Sequence, residues 1–164
     1  MNKLSLILIT LSMSLGNLLH GQGDPYFMLE IGGWAPFYSV NYLKPLTGND
    51  KIAAFLRMGG SIGPEHIGLP LGIMIHNKVS PHQWQAGGGV VIYSEGIRAW
   101  DRNQSDIKGR LVFDVGYRYQ PAKKAYFFGL IATFFGVADP SPGDWFEFER
   151  RGYLGAGLQI GTKI

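Results

Sequence analysis

From Phe27 onward the chain alternates bulky apolar residues with small or polar ones at a period of two, in segments of roughly eight to thirteen residues. FMLEIGG sets Phe27, Leu29 and Ile31 against Met28, Glu30 and Gly32, and FYSVNYL sets Tyr38, Val40 and Tyr42 against Ser39 and Asn41. IAAFLRMGG opposes Ile52, Ala54, Leu56 and Met58 to Ala53, Phe55 and Arg57. IGLPLGIMIH opposes Ile67, Leu69, Leu71, Ile73 and Ile75 to Gly68, Pro70, Gly72, Met74 and His76. In HQWQAGGGVVIY the bulky stripe is Trp84, Ala86, Val90 and Ile92, with Gly88 among them. In RLVFDVGYRYQ it is Leu111, Phe113, Val115, Tyr117 and Tyr119, facing away from Arg110, Asp114 and Arg118. AYFFGLIATFFG is nearly all apolar and leaves its faces open. GYLGAGLQIGTKI sets Leu154, Ala156, Leu158, Ile160 and Ile164 against Tyr153, three glycines, Gln159 and Lys163. These segments predict eight strands, with KPLTGND, NKVSP and QPAKK read as turns.

Which face lies inside depends on the solvent. A soluble barrel or sandwich buries its bulky face and exposes a polar one, and that outer face is seldom so rich in glycine. A membrane barrel reverses the order, with bulky residues toward lipid and small or polar ones in the lumen. Ten residues at about 3.3 Å each, tilted by about 40°, span about 25 Å, the height of an outer-membrane apolar band. Short connections after strands two, four and six, and long ones at residues 95–107 and 138–149, match that topology. The pattern therefore predicts an all-β fold, an eight-stranded antiparallel up-and-down transmembrane β-barrel. Leu69, Leu71, Ile73, Phe113, Val115, Leu158 and Ile160 are expected to face lipid. Glu30, Arg57, Arg110, Asp114 and Arg118 are expected to form an ion network in a lumen just wide enough for side chains to fill.

The N-terminus changes the picture of compartment. A basic start at Lys3, an apolar run LSLILITLSMSLGNLL and small residues near Gly21 have the layout of a secretory signal peptide. Residues 1–21 are assigned to it and 22–164 to the barrel domain. Removing Lys3 with no acid lowers the formal net charge from +3 to +2, too little and too scattered for a nucleic-acid partner. The absence of cysteine excludes a disulfide framework. With 24 glycines, 13% aromatics and 16% charged residues, the chain is too apolar for disorder and a poor helix former.

The motifs LEIGG…YSVNY, LRMGG, GLPLGI, QWQAGGGVVIY and VGYRYQPAKKAYFF, in this order and spacing, resemble a family of small outer-membrane β-barrel proteins typical of Bacteroidota. The similarity covers roughly residues 26 to 164 and implies an exported barrel of generally unassigned activity. Barrels of that kind commonly end on an aromatic residue that the insertion machinery reads. This chain ends Gly161-Thr162-Lys163-Ile164, so the resemblance implies that Ile164 substitutes or that insertion is less efficient.

Candidate chemistry is thin. Some small outer-membrane barrels are lipid A deacylases with a His/Ser pair, and His66 and Ser94, with Glu65 and Glu95 nearby, sit at the right height. Their parity places them on opposite faces, and no His-x-Ser pattern accompanies them. Asp139, Asp144, Glu147 and Glu149 could offer oxygen to calcium but lack ordered ligand spacing. Trp145, Phe146 and Phe148 read as an interfacial girdle, or, with Trp100 and Asp144, as an outer-loop binding surface. Gly87-Gly88-Gly89 precedes no helix, so it is not a phosphate loop. His76 and His82 flank a turn and read as solvated residues. The expectation is a non-enzymatic, monomeric barrel without metal or cofactor, with a structural or surface-binding role and outer-membrane lipid and the insertion machinery as partners. Two alternatives carry different chemistry: a soluble lipocalin-like barrel holding an apolar ligand, and a lipid A-modifying hydrolase.

Overall fold

The computed structural model describes residues 23–35, 37–63, 66–95, 107–138 and 148–164, with the backbone alone at 66, 95, 107, 137–138 and 148–151. The expected signal peptide, residues 1–21, lies outside them. Eight strands follow one another in chain order: β1 (Tyr26–Gly32), β2 (Tyr38–Gly48), β3 (Ile52–Ile62), β4 (His66–Asn77), β5 (His82–Glu95), β6 (Ile107–Tyr119), β7 (Tyr126–Ala138) and β8 (Phe148–Lys163). Each pairs antiparallel with its sequence neighbours, and β1 closes on β8 from Tyr26↔Lys163 to Gly32↔Gly157. The fold is therefore a closed up-and-down barrel without sheet edges.

The first residue of β1 and the last of β8 lie at one end of the barrel, together with the turns after β2, β4 and β6. In the first of these turns the Asn49 side-chain oxygen accepts from the Lys51 and Ile52 amides, and the Asn49 amide donates to the Ile52 carbonyl. In the third, Lys123 takes a left-handed φ of 64° and the Lys124 amide donates to the Pro121 carbonyl. This is called the turn end below, and the opposite end the loop end.

Strand boundaries differ from expectation, most of all in β2 and β8. KPLTG is not a turn: β2 continues to Gly48, accommodating Pro45 through a bulge between Pro45 and Thr47. A bulge absorbs a proline because it releases one ladder position from donating. β8 also begins earlier, at Phe148. Pro70 affects β4 without a register shift. The β3–β4 ladder runs to Met58↔Leu71 and resumes at Ser61↔Gly68, skipping the stretch opposite the donor-less proline.

Every strand turns its bulky stripe outward. Leu69, Leu71, Ile73, Phe113, Val115, Leu158 and Ile160 are all exposed, Val115 by 63%, while Glu30, Arg57 and Arg118, on the inner faces of β1, β3 and β6, are fully buried. In β7, whose faces were open, Tyr126, Phe128, Leu130 and Phe134 point out and Phe127, Ile131 and Phe135 point in. The lumen is layered. Tyr26, Met28, Leu43, Phe55, Met74 and Phe127 pack at the turn end, and Trp34, Val91, Tyr93, Val112, Ile131 and Phe135 pack toward the loop end. Polar side chains occupy the space between.

Candidate functional site

The middle layer is a belt of hydrogen bonds that crosses the lumen. Its centre is Glu30 on β1. One carboxylate oxygen accepts from the Arg57 guanidinium of β3 at 2.8 Å and from the Trp34 amide at 2.9 Å, and the other accepts from the Gln159 amide of β8 at 2.6 Å. Arg57 Nε donates to Asn41 on β2 at 2.9 Å, and Asn41 donates to Ser39. Gln85 on β5 donates to Gln159 at 2.6 Å. Asp114 on β6 accepts from the Trp34 indole N–H and forms a looser ion pair with Arg57 at 3.9 Å. β4 and β7 complete the ring by leaving room. A Cβ on Gly72 would sit 2.4 Å from the Trp34 ring, and one on Gly129 would sit 2.9 Å from the Gln159 oxygen.

Trp34 was not anticipated from the sequence. It follows β1 in a short connection, yet it is fully buried and stacks 4.2 Å from the Arg57 guanidinium carbon. Gly32 and Gly33, at φ values of +70° and +74°, turn the chain inward over the barrel mouth. These are left-handed conformations that favour glycine. A side chain at Gly33 would also strike Glu30 and Ile131 at 2.7 Å. The GGG run of β5 belongs to the same arrangement: a Cβ on Gly89 would meet the indole at 2.8 Å and one on Gly87 would meet Asp114 at 2.8 Å. Gly72, Gly87 and Gly89 thus leave room for one inserted tryptophan and one aspartate. The signal was present as a Gly-Gly-Trp run facing a glycine stripe on other strands, but the pairing of the two needs the register.

The expected network of five charges divides. Glu30, Arg57 and Asp114 meet; Arg110 and Arg118 do not join them. Four strand residues correspond to about 13 Å along β6, so each arginine is carried to a different height from Asp114. Arg110 lies toward the loop end, donating to the Tyr93 hydroxyl at 3.3 Å with its guanidinium over Tyr93 and Phe135. Arg118 lies toward the turn end, 3.5 Å over the Phe127 ring and 4.7 Å over Tyr26, with one donor on Gln120 at 2.9 Å. Among the described residues no carboxylate pairs with Arg118. His76 is not a solvated turn residue either: its ring is buried and stacked on Phe55 at 5.3 Å.

No protein-family model and no curated protein matches this chain. What the site does must be read from its own geometry.

The remaining sequence expectations sort by place. The β4–β5 register pairs His66 with Glu95 and Ile67 with Ser94, so the backbone sets the His66 and Ser94 positions on opposite faces. Trp100, Asp139, Asp144, Trp145, Phe146 and Glu147 lie outside the described residues, as do the side chains of Phe148 and Glu149. An aromatic collar is nevertheless present at the turn end, where Phe27, Trp84, Tyr117, Tyr119, Tyr126 and Phe128 all point outward and are exposed. His82 joins it through a hydrogen bond to the Tyr117 hydroxyl. Among the described residues the outward wall carries a single charged side chain, Lys44, near the same end. The belt itself behaves as a brace: its carboxylates, guanidinium and amides are bonded to one another across strands distant in sequence.

Proposed function

We propose that this chain is an integral outer-membrane β-barrel, exported by its N-terminal segment, with a lumen filled by side chains and a structural or surface-binding role. The inside-out distribution of its residues carries this reading. Leu158 and Ile160 are exposed beside a fully buried Gln159–Glu30–Arg57 chain of hydrogen bonds, an order that is unfavourable in water and favourable in hydrocarbon. The aromatic collar at the turn end supports it, because amphipathic rings gather at the boundary between hydrocarbon and headgroups. In this reading the turn end faces the periplasm, and the barrel is inserted as a monomer in contact with lipid. Residues 96–106 and 139–147, the longest connections at the loop end, then present the outer surface through which a partner is met.

The soluble lipocalin-like alternative requires a bulky face turned inward around a cavity, and the layered, charge-braced lumen counts against it. Detergent dependence tests the choice. The mature chain should form a compact species, migrating faster unboiled than boiled on a gel, only when micelles are present. A monomer that folds in plain buffer with the same mobility shift would sink the membrane reading.

A further inference from the structure

The turn end of the lumen opens into a basin of about 590 Å³. Lys78 reaches it from the β4–β5 turn, Lys123 and Lys124 from the β6–β7 turn, and Lys163 from β8. Among the described residues no carboxylate lines the basin. The nearby Asp24 bonds Lys163 at 3.3 Å from an exposed position. Lys78, Lys123 and Lys124 are exposed and unpaired with any acid among the described residues. The floor also holds His76 and Gln83, buried side chains that carry no negative charge. Behind Gln120 stands Arg118, fully buried, with Nε and one terminal nitrogen unpartnered. The belt neutralises its own arginine with two carboxylates; this end concentrates cations and supplies none of the opposite charge to its interior.

We propose that this basin binds an anion bearing phosphate groups. A single carboxylate would engage one or two of these ammonium groups. A phosphate carries about 1.5 to 2 negative charges on three acceptor oxygens, and lysine binds it as a point charge from several directions. Ammonium groups from three separate segments around a concave floor match that demand. The field of the buried Arg118 adds to it, because a low-dielectric wall screens a charge less than water does. The phosphate could belong to a free molecule or to a lipid headgroup at the membrane boundary. The chemistry recognised is the same.

The test is titration of inorganic pyrophosphate into the mature chain refolded in dodecyl maltoside, a detergent without phosphate, followed calorimetrically at low ionic strength. If the chain folds without detergent, the same titration runs in buffer, so failure of the membrane reading and failure of this one are told apart. One saturable site, weakened by added salt, is expected. Lys78→Gln/Lys123→Gln/Lys124→Gln should lower its affinity by about tenfold or more. Lys124→Glu alone, at an exposed turn side chain, should weaken binding in the same direction and serves if the triple variant misfolds. Phosphatidylglycerol added to the micelles should compete with pyrophosphate if a headgroup is the natural ligand and leave binding unchanged if a free phosphate compound is. Absence of saturable binding, or binding unaltered by the lysine substitutions, would overturn the proposal.

Discussion

Arg57 and Arg118 are both fully buried in one lumen, and they are held in opposite ways. Arg57 sits in the middle layer between Glu30 and Asp114, with its Nε on Asn41 and the Trp34 ring over its face. Arg118, toward the turn end, has aromatic faces and one glutamine but no carboxylate among the described residues. A guanidinium tolerates the second setting because it is weakly hydrated and stacks on rings. The comparison teaches that burial alone does not say what a charge is for. One arginine ties β1, β2, β3 and β6 together; the other raises the potential of a basin that opens outward.

The largest expected effect comes from breaking the belt. Glu30→Ala would leave the Arg57 guanidinium, the Trp34 amide and the Gln159 amide without their acceptor, at a loss of about 3–5 kcal/mol by analogy with other severed buried pairs. Urea unfolding in micelles should show it, and a variant as stable as the wild type would mean the belt is not what braces the barrel. A charge on the wall comes next. Leu158→Arg should destabilise insertion by about 2–4 kcal/mol if that face meets the bilayer midplane, read as a lower folded fraction in lipid vesicles. An unchanged folded fraction would count against lipid contact there.

Gly72→Ala separates the wall from its imprint. The new methyl group meets the Trp34 ring, so a cost of about 1–3 kcal/mol is expected. In a Trp34→Ala background the ring contact is gone while the Gly88 carbonyl, 2.5 Å from the new methyl, remains, so the same substitution should cost less, a non-additivity that a double-mutant cycle measures directly. Additive effects would show that the glycine is there for some other reason. Arg118→Met gives the smallest change. It replaces an unpaired charge by an apolar side chain of similar length between the same rings, so stability should move by no more than about 1 kcal/mol. A loss as large as that of Glu30→Ala would erase the distinction between the two arginines.

The wall was the legible part of this protein. Alternation at a period of two needs no tertiary information, because successive strand side chains must point to opposite faces. The stripes from Phe27 to Ile31 and from Ile67 to Ile75 therefore named the outward residues correctly, and the strand count followed from the turns between them. β7 was not legible, since a strand apolar on both faces has no contrast to read. Nor was the extension of β2 past Pro45, because a bulge turns a turn-like composition into strand.

The sequence by itself therefore determined the eight strands, the inner and outer faces of all but β7, and the burial of Glu30, Arg57, Asp114 and Arg118, all properties of local geometry. The tertiary structure alone decided which of those charges meet. Register sets the height of each inward side chain, so it brought Glu30, Arg57 and Asp114 to one level and carried Arg110 and Arg118 away from it. It also decided that a tryptophan from a short connection would fill the space that glycines on β4 and β5 leave open. Shape complementarity between segments far apart in the chain is a property of the closed barrel, and no stretch of residues contains it.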